Sequence, residues 1–354
     1  MSRILALAAV SALLAAPVAG GRSMPPGGKP ASHRPTTSGA ASWAAPEIRI
    51  VVSHGLMAKS VATFRPDDAL TQAELNTLVA GLTAQPPQRS ATPSAPVTVA
   101  QLDARLVRAL DLGDAAAEFS QAALTSHLNP PNRFGTEVTA RLLGLRTNHP
   151  AKRDNLELLP NDPVTRAETA YSAAQILSFR GWETDAAASA ADTFTLPHLT
   201  AWQTRVLAVA VHFIGFPYVW GGTSEHAEAP FGIQVRGGFD CSGFVWRVYK
   251  LQRYAGGAAL SQTLRGRTTY EMSGEVPASK RIGWAKLAPG DVLFFGAHGP
   301  RSRPSEVDHT GIYLGNRWFI HSSGYGVAVA QLSGWYRQRF AWGRRPLAEA
   351  GLTG

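Results

Sequence analysis

The stretch Gly238-Phe239-Asp240-Cys241-Ser242-Gly243-Phe244 holds the only cysteine of a 354-residue chain. Asp240 is a residue type that caps helix N-termini, so the thiol is expected in the first turn of a helix. Phe244, Val245, Val248, Tyr249 and Leu251 continue that helix as one apolar face. A thiol attacks as its thiolate, and a free cysteine with a pKa near ~8.5 is mostly protonated at neutral pH. A helix N-terminus and a neighbouring imidazole both favour the charged form. Gly243 leaves room for close approach of backbone or substrate.

Two histidines downstream complete a candidate constellation. Short strands are expected over 292–295, 309–314 and 318–321, with His309 and His321 at the ends of the last two. A cysteine helix followed by an antiparallel sheet carrying histidines is an α+β arrangement. A three-residue loop, Leu314-Gly315-Asn316, pairs 313 with 317 and therefore His309 with His321, both rings on one sheet face. A two-residue loop sends them to opposite faces. On the first register His309 is a general base toward Cys241 and His321 orients its ring.

Several motifs occur in order: Pro217-Tyr218-Val219-Trp220-Gly221-Gly222, the Cys241 stretch, Pro289-Gly290-Asp291-Val292-Leu293-Phe294-Phe295, His309-Thr310-Gly311-Ile312-Tyr313-Leu314-Gly315 and Phe319-Ile320-His321. Together they resemble the NlpC-type cell-wall cysteine peptidases of the papain-like superfamily, over roughly residues 200–345. The resemblance implies Cys241 as nucleophile, His309 as base and His321 as third triad member. Tyr218 would line the site and help an oxyanion hole with the Cys241 N–H, while Asp240 and Ser242 would contact the amine or backbone of the substrate. Core packing for Tyr218 and helix capping for Asp240 stay open beside those roles. The implied reaction is hydrolysis of peptidoglycan stem peptides at the γ-D-glutamyl–diamino acid bond through a thioester, with no metal or cofactor. An amidase or acyltransferase of the same superfamily, or a non-catalytic wall-binding protein, are the alternatives. Acyltransferase relatives often place histidine before cysteine, the reverse of the order here.

Residues 223–239 are longer than the short connection usual in that family and carry Glu225, His226, Glu228 and Arg236, so they can act as a lid or narrow specificity. His298, Arg301 and Arg303 precede His309 in a second charged loop.

Upstream, a positive n-region, an apolar run over 4–14 and small residues to Gly20 read as an export signal over 1–20. A Gly/Pro/Ser-rich linker is expected over 21–46 and an all-α domain over 47–195, ahead of a catalytic domain over 196–345 and a tail over 346–354. In an exported chain a lone cysteine has no internal disulfide partner, so it is either buried and inert or kept for reactivity. Within the helical domain one pattern repeats. Thr71, Thr98 and Thr165 are N-cap candidates, and Glu74, Gln101 and Glu168 follow three residues later as capping boxes require. The fuller pattern, an acidic turn before Thr-Arg-Ala-Glu at Thr165 to Glu168, resembles S-layer homology repeats, which implies anionic cell-wall polysaccharide as a partner. The arginine survives only as Arg166; Gln72 and Val99 replace it in the other copies. The net charge of +9 is scattered, with no basic run that marks a nucleic-acid patch.

Overall fold

The computed structural model describes residues 38–353; the expected export signal and residues 21–37 of the expected linker lie outside them. The rest of that linker is folded. A 3-10 turn, Gly39–Ala41, leads into α1 (Ala45–Ser53), whose Ile48 and Val51 are buried with Ala44. Apolar residues at helical spacing here outweigh the Gly/Ser content that suggested a free segment.

Five helices with α1 make the helical module before the chain reaches α7: α2 (Gln72–Thr83), α3 (Val99–Ala109), α4 (Gly113–Thr125), α5 (Phe134–Leu142) and α6 (Arg166–Ser178). The three repeated helix starts meet at one point. Val97 N–H donates to Leu70 O, Leu70 N–H to Val164 O, and Val164 N–H to Val97 O, a closed ring of backbone hydrogen bonds. Thr71 with Glu74 and Thr98 with Gln101 form full capping boxes. Thr165 accepts from the Glu168 N–H, but the Glu168 carboxylate turns instead to Arg146 and His149. Arg166 is buried against Glu74 and donates to Met57 O.

After α7 (Trp182–Thr193) and α8 (Ala201–His212), a two-residue ribbon pairs β1 (Thr223–Ser224) with β2 (Gly238–Phe239). Then come α9 (Cys241–Trp246), continued by one π turn to Leu251, and α10 (Thr269–Gly274). The sheet contains β3 (Val292–Gly296), β4 (Val307–Gly315), β5 (Trp318–Ser323), β6 (Gly326–Gln331) and β7 (Phe340–Arg344), antiparallel in the order β6-β5-β4-β3-β7. A helix, α11 (Gly334–Arg339), joins its last two strands. The cysteine helix lies on β4 and β5, burying Phe244, Val245, Val248 and Tyr249. An α+β arrangement with a cysteine helix against an antiparallel sheet is therefore what forms.

The hairpin differs in detail. Ile312 pairs with Ile320 and Tyr313 with Phe319, but Gly315 pairs with Trp318, so Leu314 is a bulge and the loop is the two-residue Asn316-Arg317. The bulge absorbs one residue and restores the parity that a two-residue loop would lose. His309 and His321 thus share a face, as expected, but as diagonal rather than direct neighbours.

The two modules share a core. Phe119 and Phe194 stack on Trp318 of β5 with ring centroids 6.1 and 5.1 Å apart. The expected tail is also folded: α12 (Pro346–Glu349) buries Leu347, and Glu349 binds Arg344. Among the described residues no helix is long and apolar enough to cross a membrane.

Candidate active site

Cys241 is the first residue of α9, and Asp240 caps that helix by accepting the Gly243 N–H. A Cβ on Gly243 would stand 1.9 Å from Gly222 O, so glycine lets the helix start press directly on the 219–222 turn. The backbone N–H groups of Ser242 and Thr310 stand near the sulfur and favour its charged form. Thr310 follows His309 on β4, so the strand that carries the histidine also reaches the thiol. His309 Nε2 lies 2.7 Å from His321 Nδ1. That bond commits Nε2 and leaves Nδ1 as the ring nitrogen available to a proton from sulfur.

Phe295, Phe319 and Tyr336 surround the pair: Phe319 is 4.7 Å and Tyr336 5.3 Å from the His321 ring, and Phe295 is 5.6 Å from His309. This apolar setting disfavours the imidazolium. Burial pushes His309 down to about 4, and burial with the nearby His309 holds His321 well below the usual imidazole range. Burial, reinforced by the Asp240 charge, pushes the Cys241 thiol up to about 12, although the two N–H donors and Arg267 oppose it. The expected resting thiolate is thus overruled by desolvation: thiol and imidazole are both neutral at rest.

Cys241 lies at the floor of a groove of about 440 Å³ walled by Tyr218, Trp220, Phe231, Arg267, Tyr270 and Asp308. Tyr218 is half-buried, and its hydroxyl is held in the neutral form by burial first and then by Cys241 and Asp240. Asp240 does more than cap. Its Oδ1 accepts from Gly243, Ser242 Oγ and Arg267, and its Oδ2 from the Gly221 N–H and Arg267 again, both Arg267 contacts at 3.1 Å. Arg267 also donates to Ser242 Oγ at 2.6 Å. Asp240 and Ser242 are thus both engaged by Arg267.

The 223–239 segment is a pinned hairpin. Glu228 accepts from the Thr223 and Ser224 N–H groups, Glu225 binds Arg247 at 2.9 Å, and Arg236 faces Asp162. Its tip puts Phe231, 78% exposed, over Gly221 at the groove rim. His298 pairs with Glu306, and neither it nor Arg301 and Arg303 lines the groove. Arg267, Trp220, Phe231 and Tyr270 were not singled out by sequence as wall residues. The signal near Arg267, the Thr268-to-Glu271 capping box, locates α10 but not the reach to Asp240.

The profile of the NlpC/P60 family matches residues 215–345. The sheet module is an NlpC/P60 domain. The S-layer homology domain profile matches residues 36–75, from before α1 to the first of the three repeated helix starts. Over 133 residues the chain is 35% identical to "Probable peptidoglycan endopeptidase LytE" of Bacillus subtilis (strain 168), covering 38% of this chain and 31% of that one. It is 36% identical over 134 residues to "Murein DD-endopeptidase MepH" of Escherichia coli (strain K12), covering 37% and 41%. A solved NlpC/P60 family protein from Bacillus cereus ATCC 10987 is 24% identical with TM-score 0.31, covering 43% of this chain and 42% of that one. The chain spans from a quarter to about half the length of the curated relatives it matches.

Proposed function

We propose that this chain is a secreted cysteine endopeptidase that hydrolyses peptidoglycan stem peptides. The observation that carries the reading is the His309 Nε2 to His321 Nδ1 contact on the strand pair beneath the cysteine helix, within an NlpC/P60 domain. Because both partners rest neutral, His309 acts as a general base: it takes the Cys241 proton as sulfur attacks the scissile carbonyl. His321 steadies the imidazolium that forms. The Cys241 N–H and the Tyr218 hydroxyl donate to the developing oxyanion. His309 then gives its proton to the departing amine, leaving a thioester, and water activated by His309 releases the acid and the free thiol.

The bond proposed is γ-D-glutamyl–diamino acid. Two relatives carry names that specify different bonds, a murein DD-endopeptidase and "Gamma-D-glutamyl-L-lysine dipeptidyl-peptidase" of Bacillus subtilis (strain 168), the latter 25% identical over 128 residues. Digestion of defined muropeptides followed by mass spectrometry decides between them. Fragments ending in γ-linked D-glutamate support the proposal; cleavage between two D-residues replaces it. Cys241→Ala is expected to stop release, and unchanged turnover in that variant removes the thiol from the mechanism.

The S-layer homology match supports attachment of the helical module to an anionic wall polysaccharide. With Arg166 buried against Glu74, such binding must use other residues of the module.

A further inference from the structure

The NlpC/P60 match begins at residue 215, yet one wall of the groove is held from outside it. Asp154 belongs to the helical module, on a 3-10 turn (Ala151–Leu156) between α5 and α6, and is 2% exposed. Its Oδ2 accepts the Trp220 N–H at 2.8 Å. The next N–H along, that of Gly221, donates to Asp240 Oδ2 at 2.9 Å. Two consecutive peptide groups are thus held by two carboxylates, one from each module. Between them stands Trp220, 55% exposed and lining the groove with Tyr218 and Cys241. Among the described residues the Trp220 N–H has no other partner, so losing the carboxylate leaves a donor orphaned beside the site.

The approach to this turn is held from the same side. Arg133 of the helical module donates to Ile214 O at 3.1 Å and to His212 O at 2.9 Å, and Arg141 to Gly215 O at 3.0 Å. Gly215, at φ +87, sits so close to Glu137 that a Cβ would stand 2.4 Å from its carboxylate. The chain is therefore tied to the helical module at residues 212, 214 and 215 and again at Trp220.

We propose that Asp154 is a positioning residue for the groove: it fixes the Trp220 peptide, so that the helical module completes the substrate-binding wall of the NlpC/P60 domain. The role rests on the peptidase reading, because it assigns Trp220 to substrate binding and not to bond cleavage.

The test uses the full chain with Asp154→Ala, Asp154→Asn, Trp220→Ala and the Asp154→Ala/Trp220→Ala double variant. Asparagine keeps an acceptor oxygen and is expected to stay within about twofold of the parent. Asp154→Ala is expected to raise KM on a defined muropeptide about tenfold, the scale of one lost hydrogen bond to a charged group, with kcat nearly unchanged. Trp220→Ala should raise KM similarly, and the double variant should be no worse than Trp220→Ala alone. Additive effects, or a lowered melting temperature with KM unchanged, overturn the proposal. Amide hydrogen exchange at Trp220 gives a readout without substrate: faster in Asp154→Ala, unchanged in Asp154→Asn. If the parent chain leaves the muropeptide intact, the peptidase reading fails, whereas equal exchange in Asp154→Ala and the parent means the contact itself is wrong.

Discussion

At the residue scale, the neutral state of the thiol and both imidazoles sets the pH response. His309 must be unprotonated to accept a proton, and its pKa near 4 means that kcat/KM rises as pH passes about 4. It should then stay level through neutrality, with no fall near the ordinary thiol pKa, because the Cys241 proton is held to about 12. Iodoacetamide alkylation without substrate is the companion measurement, expected to be slower at pH 7 than for a simple thiol. Stability carries the opposite limb. An unfolded histidine binds a proton near pH 6.5 that folded His309 refuses until about 4, so unfolding becomes easier as pH falls across that window. Urea midpoints between pH 7 and 4 check the sign. The two histidines should also differ in weight. His309→Ala removes the general base and is expected to lower kcat by ~10²–10⁴. His321→Ala removes only the ring's orienter, and steady-state kinetics should place it between that variant and the parent.

At the element scale, the β4–β5 loop holds two positive-φ residues, Asn316 at φ 46 and Arg317 at φ 69. Asparagine tolerates that conformation; arginine does so at a cost of roughly 1 kcal/mol. Arg317→Gly is expected to raise stability by about that amount, read from denaturant midpoints at constant m-value. This hairpin also shows where sequence reading succeeds and where it stops. The shared face of the two histidines was legible through an expected three-residue loop, whose parity equals that of the two-residue loop plus bulge that forms. The bulge was not, because its causes lie elsewhere in the chain: a Cβ on Gly315 would stand 2.3 Å from Pro197 Cδ, and Asn316 Nδ2 donates to Thr195 O. The helix caps at Thr71, Thr98 and Asp240 were legible for the converse reason, since donor and acceptor lie within three residues. The Arg267 fork on Asp240 spans 27 residues, and no local pattern announces it.

At the scale of the whole molecule, the helical module and the NlpC/P60 domain bury one another's aromatic surface. A chain cut at residue 196 would expose Trp318 where it stacks on Phe119 and Phe194, and would lose the Asp154 acceptor. The severed NlpC/P60 piece is therefore expected to be poorly soluble, whereas the full chain melts in a single cooperative transition; calorimetry showing two resolved transitions would contradict a shared core. The ring at Leu70, Val97 and Val164 adds a constraint of order in time. Each arc both gives and receives, so two copies alone leave one donor and one acceptor hanging. Residue 164 leaves the ribosome last of the three, and until it does the earlier copies have no closed partner set. A nascent chain halted between the second and third copies is thus open by construction, and it becomes this module only when the final arc arrives.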